Sequence, residues 1–219
     1  MSKTQAYLAL ESSVQADFQS SLSPNDALEL LQSGNQRFIE EKGAKRRSRT
    51  NLLKGAAQGQ APFAAVLGCI DSRAPIEEIF DAEIGDLFVA RVAGNTVNGD
   101  ILGSIEYACK YAGSKLVLVL GHTQCGAVKG AYASLKDGNL TGLLERIEPA
   151  VAPVRETHGS EATDEAIGLS VANNVQLVCE RIKRESQILA ELAESGAIRI
   201  VGGVYDVATG EVDFSTYPG

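Results

Sequence analysis

Several features are scarce in this 219-residue chain, and each scarcity argues against a class of function or partner. No apolar run approaches the roughly 18 to 20 residues that a membrane-spanning helix needs, so we expect no membrane partner. Basic residues number 20 against 28 acidic ones, and the resulting net charge of −8 argues against a nucleic-acid partner. Only two histidines, His122 and His158, are available as imidazole ligands. The expected partner is a small-molecule substrate.

Motifs of two common classes of protein are also missing. Neither Gly-x-x-x-x-Gly-Lys-Ser/Thr nor Gly-x-Gly-x-x-Gly occurs, which argues against a nucleotide-binding module. There are four cysteines but no Cys-x-x-Cys pair, which argues against a redox thiol site. The chain shows no leader with an apolar stretch and a small-residue cleavage site, so we expect a reducing, cytoplasmic location.

The sequence divides into an N-terminal arm, residues 1–22, and a single α/β domain, residues 23–219. Arm residues Leu8, Leu10, Val14 and Phe18 are spaced as in a weak amphipathic helix that lies on another surface, such as a second subunit. The domain begins with a helix start signal at residues 23–26, and the helical stripe ends near residues 42–43. The basic stretch that follows, residues 42–49, is interpreted as a solvated connector.

Apolar runs and helical segments alternate after residue 62. Four runs of strand length are rich in branched residues, as is typical of strands buried on both faces: 63–67, 87–92, 116–120 and 198–204. Helices are predicted between them, at 100–111, 127–135 and 163–195, and a turn at 209–210 leads to a returning edge strand. The pattern predicts an α/β fold with a mainly parallel β-sheet flanked by helices, an antiparallel edge strand and the N-terminal helical arm.

Two short peptides after the first and third runs carry metal-binding side chains. Cys69 follows the first run, and His122 and Cys125 follow the third. Two thiolates and one imidazole suit Zn²⁺, and three protein ligands leave a fourth tetrahedral position for water or substrate. Because ligands in open α/β sheets bind at the carboxyl ends of strands, we expect the two peptides to meet there.

The residues after Cys69 supply a second set of polar groups. In an extended segment, Asp71 and Arg73 share a face with Cys69. Asp71 either ligates zinc in the fourth position or accepts a hydrogen bond from a zinc-bound water while Arg73 holds it in a bidentate ion pair. A surface turn with a weak ion pair is the simplest interpretation of Asp-Ser-Arg alone, and the neighbouring cysteine argues against it.

A closed structural zinc site is the alternative interpretation. It would need a fourth protein ligand, and structural sites normally contain two close ligand pairs. Cys109 and Cys179 belong to no second pair, and both lie in helical patterns where buried free thiols are common, so they are interpreted as core residues. The spare histidine, His158, lies in a polar stretch and is expected to be exposed.

The two peptides resemble the signature of the β-class carbonic anhydrases, in which Cys-x-Asp-x-Arg precedes His-x-x-Cys. In this chain 53 residues separate Cys69 from His122. The similarity extends beyond the ligands and covers roughly residues 23–214, with segments 79–81, 85–95, 104–108, 118–122 and 125–128. The N-terminal arm is the part that the resemblance constrains least.

The resemblance implies a role for each matching residue. Cys69, His122 and Cys125 match the ligands of Zn²⁺, and Asp71 and Arg73 match the catalytic pair that gates and orients the zinc hydroxide.

Other matches concern the substrate. Gln60, Phe88 and Tyr107 match substrate-binding positions of a cleft that the family forms at a dimer interface. Gly126 follows the last ligand, where a backbone amide approaches the substrate. A homodimer, which pairs into a homotetramer in some cases, follows by analogy.

The implied reaction is zinc-dependent, reversible hydration of CO2 to bicarbonate and a proton by a zinc-bound hydroxide. Two thiolates donate charge to the metal, so a somewhat higher working pH than that of a three-histidine site is expected. The alternative is hydrolysis of COS or CS2 by the same mechanism, because the same scaffold serves those enzymes and the ligands do not discriminate between the substrates.

Overall fold

The computed structural model describes residues 1–43, 47–217 and 219. Five strands form one sheet in the order β2-β1-β3-β4-β5, in which β1 to β4 are parallel and β5 runs antiparallel to β4. Their bounds are β1 Ala64–Gly68, β2 Leu87–Arg91, β3 Leu116–His122, β4 Arg199–Tyr205 and β5 Val212–Tyr217. The predicted α/β fold, with its mainly parallel sheet and antiparallel edge strand, is confirmed.

Helices cover both faces of the sheet. They are α1 Lys3–Leu8, α2 Ala16–Ser20, α3 Pro24–Ile39, α4 Arg49–Ala56, α5 Ile76–Ile79, α6 Gly99–Glu106, α7 Gly126–Tyr132, α8 Gly138–Leu144, α9 Glu148–His158, α10 Asp164–Glu185 and α11 Gln187–Glu194. A 3₁₀ turn, Ala93–Asn95, follows β2, and a π-helical turn, Tyr107–Tyr111, extends α6. The sequence patterns did not predict α4, α5, α8 and α9. Over the described residues, helices long and apolar enough to cross a membrane are absent.

The central strands β1 and β3 are buried along their whole length. Alternate residues point to opposite faces, so Val66 and Leu118 pack with α3 on one side while Leu67 and Val119 pack with α10 on the other. Helix α10 lies close to the sheet at Gly121, where a Cβ would lie only 2.6 Å from a methyl group of Val175. The close approach fixes α10 against the strand that carries His122.

The predicted start of α3 is confirmed. Ser23 is the N-cap residue, Pro24 occupies the first turn, and the hydroxyl of Ser23 accepts a hydrogen bond from the backbone N–H of Asp26. The Asp26 carboxylate accepts the N–H of Ser23 in return, which completes a capping box. The helix ends at Ile39, a few residues before the predicted end.

The N-terminal arm differs from the single amphipathic helix that the sequence predicted. It forms two short helices, α1 and α2, and it packs on the chain's own core through buried Tyr7 of α1 and Val14 of the segment between the helices. Leu8, a member of the predicted stripe, is 42% exposed, and the Tyr7 hydroxyl instead donates a 2.6 Å hydrogen bond to buried Asp86. The sequence pattern missed Tyr7 because its partner lies 79 residues away.

The interpretation of residues 42–49 as a solvated connector is wrong for Arg47. Its side chain is only 7% exposed and forms ion pairs with Glu83, at 2.5 Å, and with Asp86. Burying a guanidinium requires such partners, and they come from the loop before β2. Lys42 is exposed, as predicted, and residues 44–46 lie outside the described residues.

Candidate metal centre

Two parallel strands bring the predicted ligands to one edge of the sheet. Gly68 of β1 pairs with Leu120 of β3, so Cys69, which follows β1, and His122, the last residue of β3, lie at the same edge of the sheet. The ligand atoms of Cys69, His122 and Cys125 all lie within 4.8 Å of one another, and all three residues are buried. The separation of 53 residues in sequence therefore becomes a single cluster at the carboxyl ends of the strands, where α/β proteins bind ligands.

A tight turn connects the two ligands of the second peptide. Gln124 has a positive φ of 57°, which reverses the chain so that Cys125 becomes the N-cap residue of α7. The Gln124 side chain bonds both Lys129 of α7 and Asp164 of α10, the latter at 2.8 Å. These bonds fix the turn to two helices. Gly126, the next residue, begins α7 directly beside the cluster.

The imidazole of His122 is prepared to bind a metal ion. Its Nδ1 lies 2.9 Å from the carbonyl oxygen of Thr123, which can only accept, so Nδ1 carries a proton and, in the neutral imidazole, Nε2 carries the lone pair. Nε2 is buried and has no hydrogen-bond partner among the residues described. A metal ion that took Nε2 and the two thiols as ligands would satisfy this buried atom. The donor set fits zinc.

The two thiols of the cluster are electrostatically coupled. The Cys125 thiol, with smaller contributions from neighbouring His122 and from the backbone N–H of Gly94, lowers the pKa of Cys69 to about 4, although burial opposes the shift. The hydrogen bond to Cys69, together with burial, raises the pKa of Cys125. One negative charge is therefore already present in the cluster at neutral pH, and a divalent cation would favour ionisation of the second thiol.

Asp71 is paired with Arg73 beside the cluster. The guanidinium donates to both carboxylate oxygens, at 2.9 and 2.7 Å, and a third bond of 3.3 Å reaches the carbonyl of Gln124. The hydrogen bonds from Arg73 lower the pKa of Asp71 well below its usual range, so the carboxylate is an acceptor only. Its Oδ2 lies 3.8 Å from Nε2 of His122. Asp71 is thus held at the edge of the cluster by an ion pair.

Two further residues contact the first peptide, and the sequence motifs assigned them no role. Arg91 donates to the carbonyl oxygens of Cys69, at 2.9 Å, and of Asp71, at 2.6 Å. The backbone N–H of Gly94 lies 3.4 Å from the sulfur of Cys69. In both contacts at least one of the partners is a backbone group. A motif of side chains cannot predict such contacts.

Three predicted substrate-binding residues lie away from the cluster within one chain. Phe88 pairs with Ala65, four residues before the first ligand, which corresponds to about 13 Å along the strand. Its ring packs edge-on against Tyr107, with the centroids 6.2 Å apart, and Tyr107 is 51% exposed. Gln60 is exposed in the loop before β1. The structure brings Phe88 and Tyr107 together but does not bring them to the ligands of the same chain.

The alternative ligands do not join the cluster. Cys109, on the π-helical turn, and Cys179, on α10, are buried in the same apolar cluster, and neither belongs to the group of close metal-binding atoms found among the described residues. His158 is exposed at the end of α9, as predicted, where its ring contacts Thr157. A closed site with a fourth cysteine therefore has no structural support.

Comparison with known proteins agrees with this geometry. The sequence profile of a family described as carbonic anhydrase matches residues 64–212, more than half of the chain. Carbonic anhydrase 2 of Mycobacterium tuberculosis is 36% identical over 192 residues, which cover 85% of this chain and 90% of that protein. The chain belongs to the carbonic anhydrase family. The carbonic anhydrase of Mycolicibacterium smegmatis is 33% identical over 90% of this chain and 95% of its own length.

Solved structures identify the class within the carbonic anhydrase family. The β-carbonic anhydrase CcaA superimposes with a TM-score of 0.70 at 27% identity, covering 84% of this chain and 86% of its own. The Coccomyxa β-carbonic anhydrase, solved in complex with acetazolamide, also gives 0.70, at 26% identity and 86% coverage of both chains. The predicted resemblance to the β class is confirmed.

Proposed function

We propose that this chain is a zinc-dependent carbonic anhydrase that catalyses the reversible hydration of CO2 to bicarbonate and a proton. The observation that carries the proposal is the buried cluster of Cys69, His122 and Cys125 with its unpartnered Nε2, beside a carboxylate held by Arg73. Membership of the carbonic anhydrase family supports the same reaction.

The two thiolates and Nε2 of His122 would hold the zinc ion. Bound zinc supplies a Lewis acid that brings the ionisation of a water molecule towards neutral pH, less strongly here than with three neutral ligands because two thiolates donate charge. Three protein ligands leave one position open for that water, which distinguishes a catalytic site from a structural one.

Asp71 and Arg73 supply the orientation. Because the pKa of Asp71 is held low by Arg73, the carboxylate cannot donate a proton and accepts a hydrogen bond from the attacking oxygen. That bond turns a lone pair of the oxygen towards the carbon of CO2, which is the alignment that attack requires. Arg73 and the carbonyl of Gln124 fix the carboxylate while it does so.

We also propose that the active species is a homodimer or homotetramer. Gln60, Phe88 and Tyr107 do not reach the ligands of their own chain, and they would complete the cleft only as residues of a second copy. Support comes from the exposed aromatic surface at this place, where Tyr107 is 51% and Tyr111 is 73% exposed. A cytoplasmic location remains a prediction of the sequence.

The deciding experiment is stopped-flow hydration of CO2 by zinc-quantified protein between pH 7 and 9, with COS and CS2 hydrolysis measured on the same preparation. We expect fast CO2 turnover that rises with pH, and a loss of roughly 100-fold or more in Asp71→Asn at unchanged zinc content. Asp100→Asn, an exposed carboxylate in α6, is the matched control and should retain full activity.

Two results would change the assignment. Weak CO2 turnover beside efficient COS or CS2 hydrolysis would retain the metal site and move the substrate to the sulfur compound. Full activity of Asp71→Asn would remove the proposed role of the carboxylate.

A further inference from the structure

The sulfur of Cys69 receives a backbone hydrogen bond from outside its own peptide. The donor is the N–H of Gly94, at 3.4 Å, in the 3₁₀ turn that follows β2. Hydrogen bonds to a ligating atom tune its basicity and its orientation toward the metal. The direction of the Gly94 N–H therefore matters for the metal centre proposed above.

Glycine by itself does not fix that direction. Gly94 has φ of 66° and ψ of 22°, and glycine populates positive and negative φ about equally well. A side chain at this position is disfavoured, because the φ is left-handed and a Cβ would lie 2.5 Å from Cδ1 of Ile147, which would have to move, and 3.2 Å from Cβ of Ala127. The backbone conformation at position 94 favours glycine, the most flexible residue, although its N–H must keep a fixed direction. Contacts with neighbouring residues must therefore hold Gly94 in place.

Asn174 of α10 supplies a contact that fixes this residue. Its side-chain amide donates a 2.9 Å hydrogen bond to the carbonyl of Gly94, and since a carbonyl can only accept, the amide nitrogen must face it. Asn174 is 1% exposed, and its Oδ1 has no hydrogen-bond partner among the described residues. A buried amide with half of its capacity unsatisfied destabilises the core. Its one bond to Gly94 explains why an amide is present there.

We propose that Asn174 is a positioning residue for the metal centre, which holds Gly94 so that its N–H points at the sulfur of Cys69. The proposal rests on the proposed zinc site. The carbonyl of Gly94 is anchored by α10, the two dihedral angles of one residue connect that carbonyl to the N–H, and the N–H contacts the ligand. Asn174 of α10 thereby acts on Cys69, although the two residues are 105 positions apart in the sequence (174 − 69 = 105).

The bond has a defined electronic effect. A hydrogen bond to a thiolate draws electron density from the sulfur and weakens its donation to the metal. With two thiolates in the site, this withdrawal preserves Lewis acidity that the ligands would otherwise reduce. Without Asn174, the carbonyl of Gly94 loses its anchor, the N–H is no longer held towards the sulfur, and Cys69 donates more strongly.

The test compares Asn174→Ala with Asn173→Ala in the full chain loaded with Co(II) or Zn(II). Asn173 is the adjacent residue of α10, and its amide donates to the carbonyl of Ala150 instead. In Asn174→Ala we expect the sulfur-to-cobalt charge-transfer band to move to longer wavelength, because Cys69 then donates more strongly to the metal. In Asn173→Ala the band should match that of the wild-type protein.

A purely structural role would lower stability without moving the band. An unchanged band in folded Asn174→Ala, or equal shifts in both variants, would therefore overturn the proposal. If Asn174→Ala does not fold, Asn174→Ser, which retains a short polar side chain, should shift the band less and in the same direction, and no shift overturns the proposal.

A second measurement needs no variant. In the ¹¹³Cd-substituted wild-type protein, the amide proton of Gly94 should show scalar coupling to the metal through the sulfur of Cys69, and its absence contradicts the hydrogen bond. Failure of the wild-type protein to bind Co(II), Zn(II) or Cd(II) would overturn the proposed function itself, and this inference with it.

Discussion

The four cysteines form two pairs that are equally buried, but only the first pair contains a thiol, that of Cys69, whose pKa is lowered. Cys69 and Cys125 lie at the carboxyl edge of the sheet, while Cys109 and Cys179 lie in one apolar core cluster with residues of the sheet and of α10. The pKa of Cys69 is lowered to about 4, chiefly by the hydrogen bond from Cys125. Burial raises the pKa of Cys109 and of Cys179 to about 12. Burial alone therefore does not determine the state of a thiol.

The difference arises from the donors around each sulfur. Near Cys69 the chain has left the sheet, so backbone N–H groups such as that of Gly94 are free to point at it. Cys179 lies in the middle of a helix whose N–H groups are used internally, and its neighbours are apolar. A strand end can thus stabilise a thiolate where a helix interior cannot.

Replacing one cysteine of each pair by serine should give the largest difference in zinc content and activity. Cys125→Ser should lose bound zinc and at least about 100-fold in CO2 hydration, because even an outer partner of a ligand is worth 10 to 100-fold. Cys179→Ser should retain both. Zinc analysis and stopped-flow rates on gel-filtered protein measure the contrast. Retention of zinc by Cys125→Ser, or its loss from Cys179→Ser, would place the metal elsewhere.

Thiol reactivity after metal removal should sharpen the same comparison. In chelator-treated protein, Cys69 should be alkylated by iodoacetamide roughly 100-fold faster than Cys109 or Cys179, since the thiolate is the nucleophile. Its rate should be nearly constant from pH 6 to 8, well above its pKa of about 4, whereas an ordinary thiol accelerates about tenfold per pH unit below its pKa of about 8.5.

Peptide mapping at short reaction times measures these rates. The zinc-loaded protein is the control, in which Cys69 should be protected. Equal labelling of all four cysteines in folded, metal-free protein would contradict the difference in ionisation.

The sequence was sufficient for the features that depend on local patterns. The four parallel strands follow from runs of branched residues, and each observed strand begins within one residue of its predicted start. The ligand set followed from residue type and from the position of each ligand just after a strand. Helix α9 lacks a clear helical pattern because Pro153 lies in its interior, where proline normally breaks a helix.

Features that depend on tertiary contacts could not be predicted from the sequence. Arg47 belongs to a basic stretch typical of solvent, and only the fold shows that Glu83 and Asp86 bury it. Arg91 and Asn174 act on backbone carbonyls, and every residue presents a carbonyl, so no side-chain pattern identifies those partners.

The smallest expected effect is a change in stability when a cysteine of the core pair, Cys109 and Cys179, is replaced. Cys179→Ala should retain zinc and lower the free energy of unfolding at pH 7 by about 1 kcal/mol, because it leaves a cavity the size of one sulfur in a packed core. Denaturant titrations of the zinc-loaded protein measure this value, with Cys109→Ala as the matched variant.

In Cys179→Ala the free energy of unfolding should also depend less steeply on pH in the alkaline range. A folded-state pKa raised to about 12, above the usual value of about 8.5, means that Cys179 contributes stability that is complete below pH 8.5 and is lost as the pH rises towards 12. In that window the wild-type protein should lose up to about 1.4 kcal/mol per pH unit more than Cys179→Ala. Identical slopes would show that the Cys179 thiol ionises as easily in the folded chain as in the unfolded one, and the two pairs of cysteines would then differ only in their access to metal.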